Sequence, residues 1–189
     1  MESEYKDFIV PVWGMNYKDG CGFFCGDYFI TAGHLIQHAK DPFIFIKGKK
    51  VTLPEPIICR FDNREDGYDL AVFKMKGITS PIELSEVIPT PGTNVIVMGY
   101  QDQEIDCRFV ETDAIVLEYV QGFYYTFNTT EQLKAGCSGG PVFQDGKVVG
   151  IIVMGNCGAF NEPLDKDLST KFCVALSGKA IKEILRLNL

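Results

Sequence analysis

Three short segments of the chain contain the residue types that can activate a nucleophile. Residues 136–141, GCSGGP, place the hydroxyl of Ser138 within a glycine-rich turn. Glycine allows tight turns, so such a segment can project one hydroxyl while two backbone N–H groups point at a developing oxyanion. An ordinary glycine-rich loop between strands has the same composition, and this segment alone does not decide between the two interpretations.

The histidines limit the choice of general base. The chain has 2 of them, so a histidine base must be His34, which ends the segment TAGH, or His38. We interpret His38 as a surface residue. The i, i+4 spacing of the pair would suit a metal on a helix, but Leu35 stands where a zinc-protease motif needs glutamate, and the sequence offers no evident third ligand. We therefore expect neither a metal nor a cofactor.

A candidate acid precedes an apolar strand pattern. Asp69 lies in residues 67–73, GYDLAVF, where it can simply be the turn residue that starts a strand. A partly buried carboxylate at this position can also accept the histidine ring N–H, fix its tautomer and stabilise the imidazolium. A base, an orienting acid and a glycine-framed nucleophile thus occur in the order His34, Asp69, Ser138.

Together, the segments resemble motifs of the chymotrypsin-like (trypsin-fold) serine peptidases. Residues 31–34 resemble the family's T/S-A-A/G-H motif, residues 68–72 its D-[IL]-A-[LV] motif, and residues 136–141 its G-D-S-G-G-P motif. Residues 146–151, GKVVGI, resemble the following G-x-[LV]-x-G-[IV] hairpin. The similarity extends from about residue 22 to residue 189.

The resemblance implies an all-β fold of two six-stranded antiparallel barrels, with the active site between them and a C-terminal helix. It assigns His34 and Asp69 to the first barrel and Ser138 to the second. The backbone N–H groups of Gly136 and Ser138 would form the oxyanion hole. The chain resembles the compact bacterial and viral members more closely than the secreted digestive ones.

Cys137 is an alternative nucleophile, because thiols are intrinsically better nucleophiles than hydroxyls. Viral relatives that use cysteine have the pattern G-x-C-G-G. Aligning that pattern with this chain places the nucleophile at Ser138 and leaves Cys137 as the variable residue. We therefore expect Cys137 to be a packed small residue under the turn.

Two departures from the secreted members concern activation and cross-linking. Those members have aspartate at the position of Cys137, where it pairs with the N-terminal ammonium released by zymogen cleavage. We expect no such processing here, and expect any latency to come from the loop at 132–136. The disulfide beside the catalytic histidine cannot form with Cys25, because Leu35 follows His34.

The resemblance also predicts which residues bind the substrate side chain. They come from the segment before the nucleophile and from a later strand: Gln132, Leu133, Ala135, Ile152, Val153, Met154 and Gly155. Gln132 stands where trypsin-like members have aspartate, and Ile152 where the viral main proteases have histidine. An uncharged, apolar pocket is therefore expected. The acidic segment 162–167 is interpreted as a solvated loop, with pocket charge as the alternative.

The charge and the cysteine content of the chain limit which compartment and which binding partners are expected. The net charge of −7 argues against nucleic acid or an anionic membrane as the main partner. No apolar run approaches the roughly 18 residues of a membrane span, and the acidic N-terminus is unlike a signal peptide. The 7 cysteines are odd in number and form no CxxC pair. We interpret most of them as free thiols in a reducing compartment, the cytoplasm of a bacterial or host cell.

The elements that must position these residues are mostly short strands bounded by glycine, proline, asparagine or aspartate. Single strands are predicted over Val51–Arg60, Ile105–Leu117 and Tyr119–Phe127, among about a dozen in all. We expect an N-terminal barrel over 1–80, a proline-rich linker over 81–92 and a second barrel over 93–176. A helix over 177–189 would be capped by Ser177 and bury Ile181, Ile184 and Leu185.

The leading functional hypothesis is a serine endopeptidase that cleaves protein or peptide substrates through a Ser-His-Asp triad. An activating protein partner is a further expectation. One alternative is a viral protease that processes a polyprotein with the same chemistry. The other is a catalytically silent binding module that has kept the fold.

Overall fold

A computed structural model describes residues 4–14, 18–37, 39–61, 67–102, 107–120, 123–133, 135–155 and 172–188, with the backbone alone at 102, 154 and 155. Most of these residues lie in short antiparallel strands, and the last of them form a helix. Within these ranges, no helix combines the length and the apolar character needed to cross a membrane.

The first half of the chain forms a seven-stranded antiparallel sheet with the order β5-β4-β1-β2-β3-β7-β6. Short 3-10 helices precede the first strand and follow the third, at Lys6–Phe8 and Gly33–Leu35. The strands are β1 Ile9–Trp13, β2 Lys18–Cys25, β3 Tyr28–Thr31, β4 Phe43–Ile46, β5 Lys49–Thr52, β6 Ile58–Phe61 and β7 Asp69–Lys74.

The second half forms a closed six-stranded barrel with the order β10-β13-β12-β11-β8-β9. Asp145 and Gly146 join two of its strands with φ angles of 50° and 76°, as the Asp-Gly hairpin signal predicts. The elements are β8 Asn94–Asp102, β9 Cys107–Val120, β10 Tyr124–Thr129, β11 Pro141–Gln144, β12 Lys147–Gly155, β13 Phe172–Ser177 and the helix α1 Gly178–Asn188.

The predicted all-β architecture with a C-terminal helix is confirmed, and its first half differs in detail. Among the described residues that half is a seven-stranded sheet with β5 and β6 at its edges, whereas a six-stranded barrel was expected. The single strand predicted over Val51–Arg60 is wrong, because this segment contributes to two strands, β5 and β6, and the sheet therefore gains a strand. Pro54 and Pro56 lie between β5 and β6, and proline cannot donate a ladder hydrogen bond.

The boundary predicted between Leu117 and Tyr119 is also wrong. Strand β9 continues to Val120 and β10 begins at Tyr124. The two strands pair with each other from Tyr124 opposite Val120 onward. Cross-strand pairing thus carries β9 past Leu117, and β10 begins later than the predicted Tyr119, because a ladder is stabilised by its partner strand.

A hydrophobic core cluster joins the two halves. It contains Phe23 and Leu70 from the first sheet, Ile151 from the barrel and Ile181 from α1, each fully buried. Burying each such side chain contributes roughly 1.5–3 kcal/mol. The helix is fixed as predicted, because Ser177 Oγ accepts a hydrogen bond from the backbone N–H of Ala180 at 3.2 Å. The halves are therefore held face to face.

Candidate active site

Strands β3 and β7 bring His34 and Asp69 to the same end of the first sheet. The two strands are antiparallel neighbours, with Thr31 opposite Ala71. The residues that follow Thr31 and the residue that begins β7 therefore lie side by side. Gly33 permits this approach, because a Cβ there would lie only 2.9 Å from the backbone nitrogen of Leu70.

Two hydrogen bonds lock the carboxylate of Asp69 onto His34. Nδ1 of His34 lies 2.6 Å from Oδ2 of Asp69, and the backbone N–H of His34 donates to Oδ1 at 2.8 Å. The Asp69 side chain is 8% exposed and that of His34 is 28% exposed. An ionised carboxylate only accepts hydrogen bonds, so Nδ1 is the ring nitrogen that donates, and Nε2 of the neutral ring then presents a lone pair.

A tyrosine from the barrel, Tyr124, hydrogen-bonds to the backbone at Asp69 and Gly67. The hydroxyl of Tyr124 accepts the backbone N–H of Asp69 at 3.0 Å and donates to the carbonyl of Gly67 at 3.4 Å. The start of β7 is thereby tied to β10 across the junction of the two halves. The position of the carboxylate consequently depends on how the halves are docked.

The turn that carries Ser138 lies against β2 and β3. Gly139 has a φ of +83°, which favours glycine, and a Cβ there would overlap the Cys21 carbonyl oxygen and Thr31 Oγ1. The backbone N–H of Cys21 donates to the carbonyl of Ser138 at 2.8 Å. Thr31 belongs to the strand that leads to His34, so the turn is placed beside the His34 segment.

Gly20 marks the point where the two segments meet. A Cβ on Gly20 would lie 2.7 Å from the carbonyl oxygen of Ser138 and would overlap Leu35, the neighbour of His34. Only a residue without a side chain lets both segments approach this closely. The Ser138 backbone and the Leu35 side chain thus meet at one glycine.

The barrel holds the same turn from its other side. Gly139 N–H donates to the Ile152 carbonyl at 2.7 Å, and Ile152 N–H donates to the Gly140 carbonyl at 2.9 Å. Gly140 N–H also donates to the Cys137 carbonyl at 3.0 Å. Cys137 itself is 3% exposed in a hydrophobic cluster, which matches the expectation of a packed residue.

The described cysteines are free thiols: Cys21, Cys25, Cys59, Cys107, Cys137 and Cys173. Cys21 lies against the turn that carries Ser138, and its thiol donates to the Cys137 carbonyl at 3.4 Å. Burial raises the pKa of Cys21 to about 11. The thiolate, which is the reactive form, is therefore scarce at neutral pH.

We predict that Cys21 resists alkylation in the folded protein at pH 8. With a pKa of about 11, only about 0.1% of the thiol is ionised at that pH, and burial blocks access as well. The exposed Cys59 provides the internal comparison. Iodoacetamide treatment followed by peptide mass spectrometry should show Cys59 modified first and Cys21 modified only after unfolding. Equal rates at the two thiols would contradict this packing.

The predicted substrate-binding residues separate into two groups. Gln132 and Ala135 are exposed and Val153 is half-buried. Leu133 and Ile152 are 4% and 1% exposed and belong to the same buried cluster as Cys137, so they leave little surface free for a substrate. Each of these described residues is uncharged, as the sequence predicts.

Several other residues named from the sequence are described only in part or not at all. Met154 and Gly155 pair with Val174 and Cys173 on β13, so only their backbone placement is known. His38 and the acidic segment 162–167 lie outside the described residues.

Sequence reasoning missed two residues that contact the candidate site. Tyr124 lies 55 residues from Asp69, and Lys18 reaches the carbonyl of Gly136 across 118 residues. Neither residue has a neighbouring motif or a spacing that marks it. Only the docking of the two halves makes these contacts.

Solved structures show the same fold at low sequence identity. An inactivated protease paralogue of the scabies mite, S-D1, is 18% identical with a TM-score of 0.73, covering 97% of this chain and 94% of that chain. The Rv3671c protease of M. tuberculosis in its active form is 17% identical with a TM-score of 0.70, covering 96% and 81%. Mouse neuropsin, a serine protease, is 15% identical with a TM-score of 0.71, covering 96% and 93%.

No curated protein sequence matches this chain. The family model of the trypsin-like peptidase domain does match it, over residues 18–151. That range contains His34, Asp69 and Ser138, together with the strands that position them. It also spans well over half of the chain's 189 residues. The protein therefore belongs to the trypsin-like peptidase family.

Proposed function

We propose that the protein is a serine endopeptidase in which His34, Asp69 and Ser138 form the catalytic triad. The observation that carries this proposal is the pair of hydrogen bonds from His34 to Asp69, made beside the turn that presents Ser138. A structural role for Asp69 would require neither the ring contact nor a partly exposed histidine. Membership of a peptidase family supports the same conclusion.

In the proposed reaction, the hydroxyl of Ser138 attacks the carbonyl carbon of the scissile peptide bond. Nε2 of His34 takes the hydroxyl proton, and Asp69 stabilises the resulting imidazolium through the Nδ1 hydrogen bond. The carbonyl oxygen becomes an oxyanion, which accepts hydrogen bonds from the backbone N–H groups of Gly136 and Ser138.

Collapse of this intermediate breaks the C–N bond. His34 gives its proton to the departing amine, and the acyl group stays on Ser138. Water then repeats the attack with His34 again acting as the base, which releases the acid and restores the serine hydroxyl. Each proton transfer uses one nitrogen, Nε2, because Asp69 occupies the other.

For specificity, we predict cleavage after uncharged side chains. The described candidate pocket residues offer no carboxylate, so a buried lysine or arginine would lose hydration without gaining a partner. Each buried CH₂ gains roughly 0.8 kcal/mol, so two more of them favour an apolar side chain about tenfold. We expect leucine or alanine to be preferred over arginine before the scissile bond.

The test is peptide-library cleavage by the pure chain, with Ser138→Ala as the matched control. Substrates ending in leucine, alanine, glutamine and arginine before the scissile bond separate the specificity classes. Cleavage that is absent from Ser138→Ala supports the endopeptidase. A strong preference for arginine would overturn the uncharged pocket, and no cleavage of any peptide would favour the silent binding module.

We further propose a protein or peptide substrate and a location in a reducing compartment such as the cytoplasm. The six described free thiols support the compartment. For activation we propose that the 132–136 loop is ordered by substrate or by an activating protein partner. The M. tuberculosis neighbour has been solved in active and inactive forms, so the fold accommodates both.

A further inference from the structure

Lys18 ties the first half of the molecule to the turn that carries Ser138. Lys18 is the first residue of β2, and its side chain crosses to the second half of the molecule. There, Nζ donates to the carbonyl of Gly136 at 3.0 Å and to the carbonyl of Tyr100 at 2.9 Å. The ammonium thus joins β2, β8 and the turn before Ser138.

Gly136 is the residue of that turn with the least conformational restraint of its own. It has no side chain, and its φ of +96° lies in the region that favours glycine. The peptide group after it would be free to rotate without a partner. A hydrogen bond from a charged donor is stronger than one between neutral groups, so Lys18 can hold the Gly136 carbonyl in one direction.

Two anchors fix the directions of the Gly136–Cys137 and Cys137–Ser138 peptide groups. In a trans peptide the N–H points opposite to the C=O, so anchoring the Gly136 carbonyl on Lys18 turns the Cys137 N–H away from Lys18. The Cys137 carbonyl is held in turn by Gly140 N–H and by the Cys21 thiol. This second anchor directs the Ser138 N–H away from β2.

We propose that Lys18 is a positioning residue: by fixing the Gly136–Cys137 peptide, which lies between the two proposed oxyanion donors, it sets how the N–H groups of Gly136 and Ser138 are placed relative to each other. This inference rests on the proposed function, since it assigns a purpose to the turn that presents Ser138. Cys137 has no carboxylate with which a cation could pair, and the ammonium acts on the preceding carbonyl. The turn is consequently set only when β2 and β8 are docked.

The test compares Lys18→Met, which keeps the length of the side chain but no donor, with Lys18→Arg, which keeps charge and donors. Lys74→Met removes an exposed lysine from β7 and is the matched control. Hydrogen exchange of the backbone amides of residues 136–140 is the first readout, because it requires no activity. We expect the Gly139 and Gly140 amides to exchange at least about tenfold faster in Lys18→Met alone.

The second readout separates positioning from simple stability. Removing one oxyanion donor costs 10²–10³ in kcat, so disturbing its placement should cost about 10- to 100-fold in kcat with KM nearly unchanged. The affinity for a peptide boronic acid, which forms a tetrahedral adduct on serine, should fall by the same factor. Lys18→Arg should recover most of both losses.

Unchanged exchange in Lys18→Met would overturn the inference, as would a loss of kcat that Lys18→Arg and Lys74→Met share. If Lys18→Met does not fold, Lys18→Gln replaces it, because its shorter amide side chain is polar but removes the charge. A wild-type chain that neither cleaves peptides nor binds the boronic acid would overturn the proposed function instead. The exchange experiment would still decide whether Lys18 sets the turn.

Discussion

Replacing Ser138 with alanine should reduce peptide cleavage by about 10⁴-fold or more, because it removes the atom that attacks the substrate. The Ser138 turn is held from both halves, by Cys21 on one side and Ile152 on the other. The truncated side chain should therefore leave the fold intact. Steady-state cleavage of the best library peptide, with thermal unfolding measured in parallel, checks both expectations.

Cys137→Ser is the control that tests which residue is the nucleophile. Cys137 is buried in the barrel cluster, so its replacement should cost some stability and only a modest part of the activity. Full activity in Ser138→Ala together with an inactive Cys137→Ser would show that the thiol is the nucleophile.

Asp69→Asn should lower kcat by about 10⁴-fold while leaving the site geometry nearly unchanged. The amide can donate to Nδ1 of His34, which would place the ring proton on Nε2 and remove the general base. Of the two hydrogen bonds to this side chain, the one from the His34 backbone N–H can be kept by the amide oxygen. Stability should therefore change much less than the rate.

Asp113→Asn is the matched control, since it makes the same change at an exposed position on β9. Its kcat should equal that of the wild type. Combining Asp69→Asn with Ser138→Ala should be little worse than Ser138→Ala alone, because the groups act as one unit. A loss below about tenfold in Asp69→Asn would mean that the carboxylate does not orient the base.

The His34–Asp69 pair could be predicted from the sequence because each residue lies at a strand end that its own short motif marks. Thr31 ends one strand and Asp69 begins another, and each motif marks its own strand end. Antiparallel pairing of these two strands is then enough to bring the side chains together. The helix was predictable for a similar reason, since Ser177 and its apolar spacing specify it within one segment.

Contacts between the halves could not be predicted in the same way. Lys18 and Tyr124 act on backbone groups of Gly136 and Asp69, and any suitably placed donor or acceptor could do so. Such contacts leave no residue pattern in the sequence. The burial of Leu133 and Ile152 likewise results from closure of the barrel. Local hydrophobicity in the sequence does not show how the barrel closes.

Labelling with a fluorophosphonate probe tests the central claim most directly, because the probe reacts with a serine hydroxyl that a base has activated. The labelled residue is identified by peptide mass spectrometry in the wild type and in His34→Ala. We predict one label, on Ser138, that forms slowly or not at all when His34 is replaced. An unlabelled wild type, or a label elsewhere in the chain, would contradict the assignment of His34, Asp69 and Ser138 as a working triad.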